Sequence, residues 1–224
     1  MIQRKIKQMF NNINELNKAT DFLASLDADW ANLVKTVGPC TFEVKLEREP
    51  YEALIRAVAY QQLHAKAGDA ILKKFIALFS ESAINKAATI KFPSPQQVIA
   101  AEFDDLRACG FSGRKIETLK GIAQGTLSGQ VPSRRDAQNM SDEDLINRLI
   151  MLKGIGQWTV EMLLMFTLAR MDILPADDFA IVEGYKRLKE LATAPKRKEI
   201  AEIAKAWSPY RTIASWYLWR VPKN

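Results

Sequence analysis

The stretch Leu152-Lys-Gly-Ile-Gly-Gln-Trp-Thr-Val160 constrains the fold of this chain more than any other. An apolar run at helical spacing (Leu145, Ile146, Leu149, Ile150) leads into it, and a second run (Val160, Leu163, Leu164, Leu168) leaves it. Apolar residues recurring every three to four positions predict a helix on each side. Between the runs, Gly154 and Gly156 allow the tight turn that folds one helix back on the other. Such a turn presents backbone N–H groups at the N-terminus of the second helix, where the helix dipole adds positive potential. The expectation is a two-helix hairpin over about residues 142–170, with a turn suited to binding a phosphate.

A second signal follows it. Pro175-Ala-Asp-Asp-Phe179 opens another helix, and its Asp178 lies 22 residues beyond Gly156. Asp177 or Asp178 caps that helix, with Asp177 the more ordinary candidate. The pair supplies a carboxylate able to act on a nucleotide held at the hairpin.

Composition narrows the function classes. The net charge of +6 fits a polyanionic partner. Two cysteines, Cys40 and Cys109, and one histidine, His64, exclude a cysteine-ligated iron–sulfur cluster and argue against a zinc site. Two widely separated cysteines imply reduced thiols rather than a disulfide framework. The N-terminus has basic residues but no apolar core of signal-peptide length, and no stretch approaches a membrane span. A soluble protein is expected, cytoplasmic or, in a eukaryote, nuclear, with no membrane partner.

Helix punctuation recurs along the chain and no alternating strand run stands out. Trp30, Leu33, Val34 and Val37 share helical spacing before the stop at Gly38-Pro39. Val44 to Glu49 reads as a short strand or an extended segment. Pro50 opens a long helical region to Phe79, broken near His64. Ser94-Pro95 and Ser141 read as helix starts, and Gly110 closes a short helix before Ser112 opens another. Ser208-Pro209 is expected to start the last helix. Gly125 to Met140 is the best candidate for a linker, or else a loop. The fold class is all-α.

Hairpin and downstream carboxylate together resemble the helix-hairpin-helix, Gly/Pro-Asp superfamily of DNA glycosylases, and within it the 3-methyladenine DNA glycosylase II (alkylpurine) family. The resemblance runs from about Pro50 to the C-terminus. It implies two helical lobes, residues 1–49 with 179–224 and residues 50–178, with the hairpin at the cleft. The chain is too short for the separate N-terminal β-domain of longer bacterial relatives, and the resemblance implies no cofactor and a monomer acting on double-stranded DNA that contains a damaged base.

The resemblance assigns roles residue by residue. Asp178, second of the Asp-Asp pair, would be catalytic. Breaking an N-glycosidic bond builds positive charge on the deoxyribose, which a fixed carboxylate stabilises. Lys153, Gly154, Gly156, Gln157 and Thr159 would contact DNA at the hairpin. Backbone carbonyls of Ile150, Leu152 and Ile155 would hold a monovalent cation. Strand-cleaving relatives place a Schiff-base lysine where this chain has Trp158, so a monofunctional enzyme leaving an abasic site is expected. Trp158, Trp219 and Met162 would line the base pocket, an indole face attracting a cationic alkylated purine by roughly 0.5–2 kcal/mol per contact. Met162 stands where relatives often carry tyrosine. Trp207 and Trp216 read as core, and Trp219 serves either role.

Tyr60-Gln-Gln-Leu-His-Ala-Lys-Ala-Gly68 resembles the segment that fills the gap left by an extruded base. Leu63 is at the plug position with Gln62 beside it, although a core leucine is the alternative. His64 would enter the minor groove or touch a phosphate, or else end a helix at the surface. Arg114 and Lys115 would contact DNA or form a solvated basic face. Two further functions stay open: a glycosylase of this fold for deaminated or oxidised bases, and a non-catalytic protein that recognises damaged DNA.

Overall fold

The computed structural model describes residues 2–80 and 92–223, and side chains within 13–64, 66–80 and 92–223. These residues form α1 (Ile2–Ala24), α2 (Ala28–Val37), α3 (Pro50–Tyr60), α4 (Ala65–Ser80), α5 (Pro95–Ala100), α6 (Phe103–Ala108) and α7 (Gly113–Leu127). They continue with α8 (Arg134–Gln138), α9 (Asp142–Leu149), α10 (Gln157–Phe166), α11 (Phe179–Leu188), α12 (Arg197–Ile203), a 3-10 turn (Ala204–Trp207) and α13 (Arg211–Leu218). The fold is all-α, with no strand among the described residues. Val44 to Glu49 forms no strand and turns at Leu46 and Glu47, where the Arg48 amide donates to the Lys45 carbonyl at 3.1 Å. No described helix is long and apolar enough to cross a membrane.

The chain divides into two compact units, residues 1–44 with 169–224, and residues 45–168. Asp178 and its helix therefore fall in the discontinuous unit, and the hairpin falls in the central one.

In the discontinuous unit, α1 packs on α2 and α13, and α11 packs on α13 and α2. Trp30 and Trp207 meet edge to face at 5.4 Å, and Tyr185 joins Trp207 at 5.5 Å. Trp207 and Trp216 are buried, as expected of core residues, although Trp207 belongs to the 3-10 turn before α13. Asp27 caps α2, and Lys189 reaches both Asp27 and Asp29 at 2.7 Å, tying the end of α11 to the start of α2. Gly184 permits a close approach of α11 to α13, since a Cβ there would fall 2.2 Å from the carbonyl oxygen of Leu218. Ser208-Pro209 does not start the last helix. α13 begins at Arg211, where Asp172 accepts the Arg211 amide and pairs with its guanidinium at 2.7 Å, while Ser208 Oγ donates to the same carboxylate.

In the central unit, α3 packs on α4, α7 and α10 around Leu54, Ile55, Phe75, Phe111 and Leu119. Ser94, Ser112 and Ser141 cap α5, α7 and α9, the first in a reciprocal box with Gln97. Gly125 to Met140 is no linker. It contains the last turn of α7 and all of α8. Arg134 is fastened there by donating to the carbonyls of Lys45, Arg48 and Thr167.

Candidate active site

The hairpin forms between α9 and α10. Three acidic residues (Asp142, Glu143, Asp144) occupy the first turn of α9, which complements its dipole. The first turn of α10 has no acidic residue and no side-chain cap. Positive potential at that end is therefore not neutralised by the helix itself, which suits an anion. The two glycines differ in what they supply. Gly154 has φ +85°, and a Cβ on it would meet Thr118 Oγ1 at 2.1 Å, so both backbone and space require glycine. Gly156 has ordinary extended backbone, and nothing lies within 4 Å of where its Cβ would stand. Its contribution is an open approach to the main chain.

Around this turn, side chains divide between exposed and committed. Lys153 is exposed and pairs with Glu117 at 2.7 Å, which holds that carboxyl below its ordinary value. Gln157 is exposed and donates to buried Glu161 at 2.8 Å. Thr159 is only 2% exposed and accepts from Gln61 Nε2 at 3.1 Å, so its hydroxyl braces the hairpin from inside. The same Gln61 amide donates to the Gly154 carbonyl at 3.2 Å, a link that no linear pattern reveals. Of the three carbonyls expected around a cation, that of Leu152 already accepts the Ile155 amide at 3.0 Å, keeping a second lone pair. Ile150 is the C-cap of α9, so its carbonyl lies past the helix. Among the described residues, no group of three or more His, Cys, Asp and Glu side chains is placed to hold a metal ion.

Gln61 belongs to the turn joining α3 to α4. Gln62 there adopts φ +57°, a left-handed conformation that costs a non-glycine residue energy and commonly marks a functional turn. Gln62, Leu63 and His64 are all exposed, Leu63 by 41%, which removes it from the core. His64 Nδ1 accepts the Ala67 amide at 3.3 Å at the start of α4. Lys115 is not a solvated charge. Its ammonium donates to the carbonyls of Ala59 and Gln61, satisfying the end of α3, and burial pushes its pKa down. Arg114 beside it is exposed.

Trp158, Met162 and Phe166 extend from one face of α10, at the helical spacing of four. Together with Arg56, Ala57 and Tyr60 of α3, and with Arg48, they line a cavity of about 270 Å³. The arginines, Tyr60 and Phe166 do not stand out in the sequence. Tyr60 opens the very segment expected to carry the plug, but nothing in a linear pattern pairs it with Trp158.

In the discontinuous unit, Asp178 rather than Asp177 caps α11. Its Oδ1 accepts from the Ala180 amide at 2.9 Å, the Ile181 amide at 3.1 Å and Trp219 Nε1 at 3.1 Å. Asp177 turns away to Arg197 at 2.9 Å. Three donors on one oxygen fix the carboxylate plane and hence the direction of the other oxygen. Trp219 thus has a defined task as the donor that orients Asp178. Phe179 next to it is 77% exposed.

Residues 55–209 match the HhH-GPD superfamily of base excision DNA repair proteins. The chain belongs to this superfamily. The DNA-3-methyladenine glycosylase 1 of Schizosaccharomyces pombe is 44% identical, over 94% of this chain and 90% of that protein. The alkylbase DNA glycosidase-like protein mag2 of the same yeast is 38% identical, over 94% and 95%. A solved structure of the S. pombe 3-methyladenine DNA glycosylase Mag1 in complex with abasic DNA superposes with a TM-score of 0.80 at 46% identity, covering 91% of this chain and 95% of that one. Solved structures at lower identity, such as an 8-oxoguanine glycosylase/lyase of Clostridium acetobutylicum (17%, TM-score 0.71), share the fold.

Proposed function

We infer that this chain is an alkylpurine DNA glycosylase that extrudes a damaged purine from duplex DNA and hydrolyses its N-glycosidic bond. The observation that carries the reading is Asp178, a carboxylate held by two backbone amides and an indole N–H. It occurs in a chain that is 44% identical to a DNA-3-methyladenine glycosylase over nearly its whole length.

The chemistry follows from these residues. The hairpin main chain at Gly154 and Gly156 binds a backbone phosphate, which positions the duplex without reading its sequence. Carbonyls of Ile150, Leu152 and Ile155 would hold a monovalent cation, which adds positive charge beside that phosphate. Leu63 and Gln62 occupy the gap left by the extruded nucleotide. The base enters the cavity lined by Trp158 and Met162. As the C1′–N bond breaks, its electron pair leaves with the base and positive charge develops on the sugar. The Asp178 carboxylate stabilises that charge. Water then adds at C1′ and loses a proton, leaving an abasic site and a free base.

Alkali-revealed nicking of duplexes carrying alkylated, uracil or oxopurine bases tests the substrate class. Nicking confined to the alkylated duplex is the expected result, and preference for either other lesion overturns the assignment. The enzyme is read as monofunctional because Trp158 stands where a Schiff-base lysine would be. Borohydride should therefore trap no covalent adduct, and product strands should stay whole until alkali is added. An adduct mapped to Lys153 or any other lysine would contradict this.

The plug makes its own prediction. Leu63→Ala should weaken binding to an abasic-site duplex more than to an undamaged one, because the plug acts only when a base has left the stack. Leu63 is exposed, so melting should barely move, whereas truncating a core leucine costs about 2–5 kcal/mol. An unchanged binding ratio would transfer the role to Gln62 or His64.

A further inference from the structure

Leu63, read above as the plug, is carried on a turn whose geometry does not suit its sequence. Tyr60 to Leu63 is a β-turn closed by the Leu63 amide, which donates to the Tyr60 carbonyl at 3.1 Å. Gln61 has φ −50° and ψ 126°, and Gln62 has φ +57°. An extended second residue followed by a left-handed third one is the signature of a type II turn, whose third residue is ordinarily glycine or asparagine. A glutamine there favours the type I turn, reached by flipping the one peptide between Gln61 and Gln62. That peptide must be held from outside the turn.

Gln61 is held at both ends. Its carbonyl, which belongs to that peptide, accepts from Lys115 Nζ at 2.9 Å, and the same ammonium reaches the Ala59 carbonyl at 3.2 Å. Its side-chain amide donates to the Gly154 carbonyl at 3.2 Å and to Thr159 Oγ1 at 3.1 Å. A carbonyl only accepts, so the nitrogen of the Gln61 amide must face the hairpin. The Gly154–Ile155 peptide is gripped from its other side as well, where the Ile155 amide donates to the Leu152 carbonyl at 3.0 Å. Gly154 in turn lies against Thr118 of α7, the helix that carries Lys115. A left-handed glutamine persists where its surroundings over-determine it, and these bonds do so.

We propose that Gln61 is a positioning residue that locks the plug turn in its type II form against the hairpin; this rests on the glycosylase reading above. A duplex docked by its phosphate at Gly154 and Gly156 then meets Leu63 in the register that fills the gap of an extruded nucleotide. Gln61 acts through Leu63 rather than by touching DNA. Undamaged duplex offers no gap, engages the hairpin alone and gains nothing from the lock.

The test reads the ratio of Kd for undamaged duplex to Kd for abasic-site duplex, with base release and thermal melting measured alongside. Gln61→Met keeps the length of the side chain and removes its donors. It should lower the ratio about 5-fold, the scale of one lost hydrogen bond, by weakening the abasic complex while undamaged binding stays within about 2-fold. Gln61→Glu should act in the same direction, because a carboxylate accepts from the Thr159 hydroxyl but has nothing to donate to the Gly154 carbonyl. Should Gln61→Met not fold, this second variant reads the same ratio. In a Gln62→Gly background, where a left-handed residue carries no steric penalty, Gln61→Met should lower the ratio by no more than about 2-fold. A ratio unchanged by the Gln61 variants, an equal loss on both duplexes, or an undiminished loss in the Gln62→Gly background would reduce Gln61 to a brace of the hairpin and overturn the proposal, whatever the melting temperatures. Such a result beside normal base release by the wild type overturns the lock alone. A wild type that releases no base overturns the glycosylase reading.

Discussion

Replacing Asp178 by asparagine should lower the rate of 3-methyladenine release by about 10²–10³-fold or more, while binding to an abasic-site duplex stays near the wild-type level. Asparagine is an N-cap as good as aspartate. Its side-chain oxygen can still accept from the Ala180 and Ile181 amides and from Trp219, the three donors that hold Asp178 Oδ1. Fold and orientation survive, and only the negative charge proposed to balance the sugar cation is removed. Single-turnover release, duplex binding and melting, measured together, separate charge from structure. Asp178→Ala is the contrasting variant, expected to lose the same activity and about 1 kcal/mol of stability besides, because the cap is gone. Bases that are good leaving groups, such as 7-methylguanine, should show a smaller loss. Near-wild-type release of 3-methyladenine by Asp178→Asn would remove this carboxylate from the mechanism.

Gly184→Ala is expected to damage the same site from beneath. The added methyl would stand 2.2 Å from the Leu218 carbonyl oxygen, which is backbone and cannot rotate aside. α11 and α13 must then separate, at a cost of about 1–3 kcal/mol for overpacking. Asp178 caps one of these helices and Trp219 caps the C-terminal end of the other, so their 3.1 Å hydrogen bond is stretched by the same movement. Melting should fall by several degrees, and base release should fall further than the loss of folded protein explains. Gly121→Ala is the control. Gly121 is inside α7 with nothing within 4 Å of where an added methyl would stand, and alanine there should stabilise by about 0.5–1 kcal/mol. A Gly184→Ala protein with wild-type melting and activity would show that this approach does not hold the carboxylate in place.

What is legible in the sequence is what depends on near neighbours. Ser94, Ser112 and Ser141 are caps because each accepts an amide three residues on. The glycine hairpin and the carboxylate at the head of α11 are visible for the same reason. Long-range partners are not visible. Ser208-Pro209 looks like a helix start, but the start is set by Asp172, far away in sequence. Lys115 looks like a surface cation until the carbonyls of Ala59 and Gln61 are brought to it, and Thr159 looks like a hairpin contact until Gln61 covers it. The α3 side of the cavity is hidden because Tyr60 and Arg56 meet Trp158 only through the packing of α3 on α10. Asp177 and Asp178 are equivalent as letters. Arg197 and Trp219 distinguish them by taking one each.

The most direct test of the central claim is to incubate the wild-type chain with alkylated duplex DNA and identify what is released. Free 3-methyladenine in solution is the expected result, with strands that remain intact until alkali cuts them at the abasic sites. Stable binding to the alkylated duplex with no free base released would contradict it, leaving a protein that recognises damage without excising it.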